Sequence, residues 1–434
     1  MSSTVTTRIR DFTRSFTDVL HLPRAFWFVQ FAFAVESMAY FGVLTLMTTY
    51  LSTDLGWGDQ WAGISVSIFT MLVTLFMLGA GSYAESFGLR RAILFALMIT
   101  ILGRVVYSYA GELGIGWPVL AVVLASLLIV AVGEAILQPV CYSGVKQYTD
   151  EKTNSMGYGL IYAFMNFGIF VMGAISAWVR PGVQRLIDSG GNTTEPLDPL
   201  LVPLAQVTKT GVQAVNWICV GITVLTLIVF AIFMTKRAEA AKIRPDRAEE
   251  LRKQNTKSVG ERFYEYFAEG PFTNTRFLFF IFMLLPVRTL FAHQWLTMPS
   301  YVLRAYSPEV ANRMEWLVNW INPLVIFFGV PIATALTRHV NVYRMMVIGS
   351  LISAVPTFLL AVDTNIYLLI GYLFLFSAGE ALWSARFLEY ASELAPEGRI
   401  AQYMGLAQIP WLLAKGTTGF YSGTMLAHFC PADA

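Results

Sequence analysis

Eleven apolar runs, each long enough to cross a bilayer, follow one another along this chain with polar sequence between them. A helical crossing takes about 20 apolar residues. No water reaches the backbone inside hydrocarbon, so only helices and closed barrels span it, and runs of this length select helices. The windows are residues 25–51, 61–83, 92–110, 117–141, 157–179 and 212–234, then 277–301, 316–336, 343–362, 366–390 and 403–428. Charged residues make up 13% of the chain, against about 25% in soluble domains. The expected class is an all-α, multi-pass membrane protein. Residues 1–24 hold four arginines and no apolar core with a cleavage site, which reads as a cytoplasmic tail and not as a signal peptide.

The windows fall into a group of six and a group of five. The expected organisation is a tail over 1–24, a six-helix bundle over 25–234, a basic cytoplasmic linker over 235–276 and a second bundle over 277–434. With the N-terminus inside, inner segments carry 21 lysines and arginines and outer loops carry 5. That asymmetry fixes a cytoplasmic N-terminus in the cell (inner or plasma) membrane. Two bundles joined by a basic inner linker is the layout of a transporter with pseudo-symmetric halves. Six and six would complete it, so a twelfth helix is expected beyond the five spans visible after the linker.

Other function classes find no support. His21, His293, His339 and His428 lack paired metal-ligand spacing, and Cys141, Cys219 and Cys430 form no CxxC. No phosphate loop is present, so direct ATP drive is not expected. Neither cofactor, metal nor enzymatic activity is expected, and a net charge of +2 gives no case for nucleic acid. The expected partners are a small-molecule substrate, protons and the lipid bilayer, with the chain a monomer.

Charge inside the apolar windows is the functional signal. Glu36, Glu134, Arg104, Arg288, Glu380, Arg386 and Lys415 all lie within them. A charged side chain at the bilayer centre costs roughly 2.5–3.5 kcal/mol on insertion scales, and such groups mark solute and proton pathways.

Between the second and third windows, Gly81-Ser-Tyr-Ala-Glu85-Ser-Phe-Gly88-Leu-Arg90-Arg91 resembles the major facilitator signature, with glutamate in place of the usual aspartate. The resemblance implies two bundles around a cavity, with Glu85, Arg90 and Arg91 latching the inner gate. Further stretches are similar to the proton-dependent oligopeptide transporters: Glu36-x3-Tyr40-Phe41-Gly42, Gly157-Tyr-Gly-Leu-Ile-Tyr162-Ala-Phe-Met-Asn166-Phe-Gly168, Ile321-Asn322-Pro323-Leu324 and Gly379-Glu380-Ala-Leu-Trp383-Ser384. Departures accompany the match. Phe33, Ser37 and Leu44 stand where that family has an acid, a cation and an arginine. Gln138 replaces its fourth-span lysine, and His293 the seventh-span acid.

The resemblance makes Glu36 a proton-coupling site deprived of the cations that usually attend it. A desolvated carboxyl without a cation favours its protonated form; the alternative is a carboxylate pinned by Arg104. Glu134 is either a second proton site or a partner of Arg104. Glu380 aligns with the family's substrate-facing acid, or else pairs internally with Arg288 or Lys415. Asn166 and Asn322 are ligand-facing amides or helix–helix hydrogen bonders. Tyr40, Gln138, Tyr162, Trp383 and Ser384 are candidate cavity-lining residues. His293 is a proton-responsive replacement for the gate acid, or a structural histidine. Arg386 and Glu389, at i and i+3, are expected to pair, and Lys415 to pair with an acid across the second bundle. The expected function is proton-coupled, alternating-access transport of a di- or tripeptide or another amine-bearing solute. The alternatives are a uniporter or antiporter of a non-peptide solute and, from another class, a transport-inactive receptor or scaffold.

Overall fold

Small polar residues and prolines decide where the helices of this chain begin. Thr210 accepts a hydrogen bond from the Gln213 amide at 3.1 Å, Asn274 from Phe277 at 3.1 Å and Asn365 from Tyr367 at 2.8 Å, each capping the helix that follows. The computed structural model describes residues 13–57, 59–113, 117–193, 195–240, 264, 268, 271–311, 314–337, 339–396 and 399–430.

The first half consists of α1 (Arg24–Thr49), α2 (Asp59–Phe87), α3 (Leu89–Tyr109), α4 (Trp117–Tyr148), α5 (Asn154–Asp188) and α6 (Gly211–Phe233). The second consists of α7 in two pieces (Thr275–Met283 and Leu285–Leu296), α8 (Met314–Thr337), α9 (Val342–Ala354), α10 (Ile366–Leu394) and α11 (Ile409–Phe429), the last preceded by a short helix, Ile400–Leu406. Among the described residues there is no strand, and nine helices are both long and apolar enough to cross a membrane. α7 breaks at Leu284 because Pro286 lacks the N–H that would continue the ladder.

Two departures from the sequence expectations have local causes. The segment expected as a loop over 81–91 is helical to Phe87, and Gly88 alone makes the turn into α3 at φ +81°, a conformation that L side chains rarely adopt. α5 runs well past residue 179, and an outer helix, Asp198–Val207, lays Leu201 against its Gly182. Most of the expected linker, residues 241–263 above all, lies outside the described residues.

Water gives no driving force between helices inside lipid, so close packing has to hold them together. A Cβ on Gly133 of α4 would lie 3.0 Å from the Ala96 oxygen of α3. In the second half, a Cβ on Gly379 of α10 would lie 2.6 Å from the Gly349 oxygen of α9. The third and fourth helices of each half therefore use the same device, direct backbone approach at glycine.

The halves meet along two seams. α5 packs on α8, where Phe167 stacks on Phe327 at 4.6 Å and Phe170 meets Trp320 edge-on at 4.8 Å. α2 packs on α11 and on the helix before it. The end of the molecule carrying the Gly88 turn is called the turn end below.

Candidate functional site

Arg104 on α3 is the centre of a fully buried charge cluster. Its Nη1 lies 2.5 Å from Glu36 Oε1 of α1, and its Nη2 donates to Glu134 Oε1 of α4 at 3.0 Å. Nη1 also donates to Thr223 of α6. Glu36, Arg104 and Glu134 are 0%, 1% and 2% exposed. The expectation that Glu36 stands without a cation is thus overturned: α3 delivers the guanidinium that its sequence neighbours lack. Two carboxylates share this one cation. Neither Glu36 oxygen has a hydrogen-bond partner, so the Arg104 contact is the charge that Glu36 faces. Tyr40, one turn beyond Glu36, packs its ring edge-on to Phe41 at 5.2 Å.

A second cluster ties the halves together. Glu380 of α10 accepts from the Tyr162 hydroxyl of α5 at 2.6 Å and from Asn322 Nδ2 of α8 at 2.8 Å. Asn322 also reaches Ser377 Oγ at 3.1 Å. The alternative of an ion pair between Glu380 and Arg288 or Lys415 is not formed, because Glu380's oxygens turn toward Tyr162 and Asn322. Asn166 spends its Nδ2 on the Tyr162 carbonyl, 2.9 Å away and one turn back. Trp383 and Ser384, expected to line a cavity, are instead buried at 1% and 3% exposure. They fall on the packed side of α10, where Trp383 meets the Phe291 ring of α7 edge-on at 5.2 Å.

Toward the turn end, Arg386 and Glu389 pair at 2.7 Å. Arg386 Nη1 also donates to Ser155 Oγ at the start of α5, at 2.6 Å, and Nη2 to Thr337 Oγ1 at the end of α8, at 3.1 Å. Ser155 in turn donates to Glu389 Oε2 at 2.9 Å. This latch spans both halves.

Arg288 and Lys415, both half-buried, differ from the fully buried charges. The Arg288 guanidinium lies over the rings of Trp383, Phe387 and Trp411, at 5.1, 4.6 and 5.5 Å. Lys415 Nζ lies 4.9 Å from the centre of the same Trp411 ring. The expected acid partner of Lys415 is absent among the described residues, and an aromatic face takes its place. His293 joins α7 to α11, with Nδ1 2.8 Å from Thr297 Oγ1 and Nε2 2.7 Å from the Tyr421 hydroxyl.

In the signature region, Arg90 caps the end of α6 by donating to the Met234 and Ala231 carbonyls, the latter at 3.3 Å. Its backbone N–H donates to Glu239 Oε1 at 2.9 Å. Arg91 is exposed. The Glu85 side chain lies outside the described residues. Sequence reasoning missed Thr223, Ser155, Thr337, Trp411 and Glu239. A hydroxyl or a ring among so many gives no signal until its neighbours in space are known.

A family model for the Major Facilitator Superfamily matches residues 26–417. The protein "Peptide transporter family 1" of Drosophila melanogaster is 31% identical over 105 residues, a match spanning 24% of this chain and 14% of that protein. A POT family transporter solved in complex with 5-aminolevulinic acid superposes with a TM-score of 0.63 at 14% identity, covering 95% of this chain and 92% of that one. The human organic anion transporter TETRAN gives 0.63 at 15% identity over 94% and 95% of the two chains. At these identities the solved structures share the fold with this chain. The family match, running through nearly every helix described above, establishes that the chain belongs to the Major Facilitator Superfamily and is a multi-pass membrane transporter.

Proposed function

We propose that this transporter is a divergent, proton-coupled relative of the oligopeptide transporters. It moves a small peptide or peptide-like, amine-bearing solute across the cell membrane by alternating access, with its N-terminus and turn end cytoplasmic. The observation that carries this reading is the triad Glu36–Arg104–Glu134. Two buried carboxylates around one guanidinium leave a net negative charge with almost no exposure. One proton brings the cluster to neutrality, and groups coupled this closely bind it as a pair. Loading and unloading that proton as solvent access alternates would couple the solute to the proton gradient.

The Glu380–Tyr162–Asn322 cluster supports the solute half of the proposal. Its carboxylate sits between the halves, where an ammonium can be received. One structural neighbour was solved in complex with 5-aminolevulinic acid, a small molecule bearing both an amine and an acid, which supports a solute of that kind. The Arg386–Glu389–Ser155 latch supports closure of the turn end in this conformation.

A second reading has an observation of its own. Both terminal nitrogens of Arg104 are engaged, by Glu36, Glu134 and Thr223, as those of a permanent brace for four helices would be, and a facilitator without coupling needs no more. One experiment separates the two. In proteoliposomes, Glu36→Gln and Glu134→Gln should each abolish accumulation of dialanine driven by an inward proton gradient, while solute exchange continues. Undiminished accumulation in both variants would favour the brace.

A further inference from the structure

We infer that Arg288 and Lys415 form a receptor for the carboxylate of the transported solute, a site that rests on the transporter reading but not on proton coupling. Two cations from different helices, α7 and α11, share the face of one ring, Trp411. Like charges repel, and neither has a carboxylate within ion-pair distance among the described residues. Arg288 Nε is buried and makes no hydrogen bond. Aromatic faces offset part of the desolvation of such charges but do not neutralise them. The acid nearest in function, Glu380, interacts with Arg288 only at longer range and has its oxygens engaged by Tyr162 and Asn322. The cluster therefore sets two cations against one carboxylate, and an incoming anion balances it.

The shape of the site selects the anion. A guanidinium presents a planar fork that fits a carboxylate with two parallel hydrogen bonds. The position is also right. Arg288 packs on Trp383, three residues beyond Glu380, whose carboxylate accepts from Tyr162 of the first half. Lys415 precedes Gly416, whose added Cβ would lie 3.8 Å from Met71 of α2. A solute held here by its acid end has Glu380 available for an amine. In the first half, Leu44 and Gln138 occupy positions where the resemblance implies cations, and Arg104 is taken up by Glu36 and Glu134.

Isothermal titration of the purified full chain in mild detergent tests this without any gradient. The probes are dialanine, N-acetylalanine, the C-terminal amides of both, and inorganic phosphate. Both free acids should bind at least tenfold more tightly than their amides. Arg288→Gln and Lys415→Gln should each erase that preference, and Arg288→Lys should retain part of it. Equal binding of acids and amides by the parent protein would overturn the inference, as would no binding of either acid, or phosphate binding tighter than both. Proton coupling is read separately by gradient-driven uptake, so either idea can fail alone.

Discussion

Removing Arg104 is the perturbation whose size the structure sets most directly. The side chain is the one cation paired with both Glu36 at 2.5 Å and Glu134 at 3.0 Å, and all three groups are at most 2% exposed, so solvent screens almost nothing. Arg104→Gln leaves two buried carboxyls with no cation. Breaking one buried ion pair by deleting a partner costs about 3–5 kcal/mol. Protonation of the stranded carboxyls limits the total, because a buried acid neutralises itself before it bears the full desolvation penalty. The expected loss for Arg104→Gln is therefore about 3–5 kcal/mol rather than twice that. Adding Glu36→Gln and Glu134→Gln to the same chain removes the stranded charge. The triple variant should regain at least about 2 kcal/mol over Arg104→Gln alone, a non-additivity expected only of groups in one network. Reversible unfolding by SDS titration in mixed micelles, followed by circular dichroism, measures these differences. The triple variant should also fold without accumulating solute under a proton gradient. If Arg104→Gln lies within 1 kcal/mol of the parent, or the triple variant is no more stable than the single, the reasoning about the triad is wrong.

Other predictions concern separate parts of the molecule. Gly379→Ala places a methyl 2.6 Å from the Gly349 oxygen; backbone cannot yield cheaply there, so a loss of about 1–3 kcal/mol is expected, and a neutral outcome in the same SDS titration would contradict the α9–α10 packing. Arg386→Gln releases Ser155 and Thr337 from the latch. Hydrogen exchange in the first turn of α5 should then quicken several-fold, whereas unchanged protection would mean that the latch does not hold the halves. Tyr162→Phe removes the 2.6 Å hydrogen bond to Glu380 and should weaken or strengthen dialanine binding at least threefold; an unaltered Kd in titration would detach Glu380 from the solute site. Asp150, in the turn between α4 and α5, is pushed up by burial but held below the usual carboxylate range by hydrogen bonds from Thr153 and Lys152. A lowered folded value means that its contribution is complete above the ordinary aspartate value of about 3.9 and is lost as pH falls through the folded one. Asp150→Asn should flatten the fall in thermal midpoint below about pH 4, and an identical pH profile would refute this.

The helices were legible because bilayer thickness and backbone hydrogen bonding leave few alternatives for runs like these. The Arg386–Glu389 pair was legible for a related reason: i and i+3 are neighbours on any helix, whatever surrounds them. Arg104 as the partner of Glu36 had been named only as one possibility, since the two lie on different helices and no pattern in one dimension says which faces meet. The same gap explains Lys415. Charge balance suggested an acid, while the packing supplied the face of Trp411, one turn before it on its own helix. Trp383 shows the limit of reading an aromatic beside a functional residue as part of its site. Three positions after Glu380 on α10, it turns to Phe291 rather than outward. The Gly88 turn was hidden because residues 81–87 suit a helix as well as a loop, and only the glycine has to leave it.

The hydroxyl that Glu380 accepts belongs to the opposite half of the molecule. On the proposed function, an ammonium arriving at that carboxylate competes for the same oxygen that rivets α5 to α10. Occupancy and separation of the halves are then rival claims on a single atom, and a solute able to displace Tyr162 loosens the seam merely by docking. Selectivity acquires a mechanical component in this way. A cargo that lacks the right donor could sit nearby at little cost and still leave the two halves fastened together.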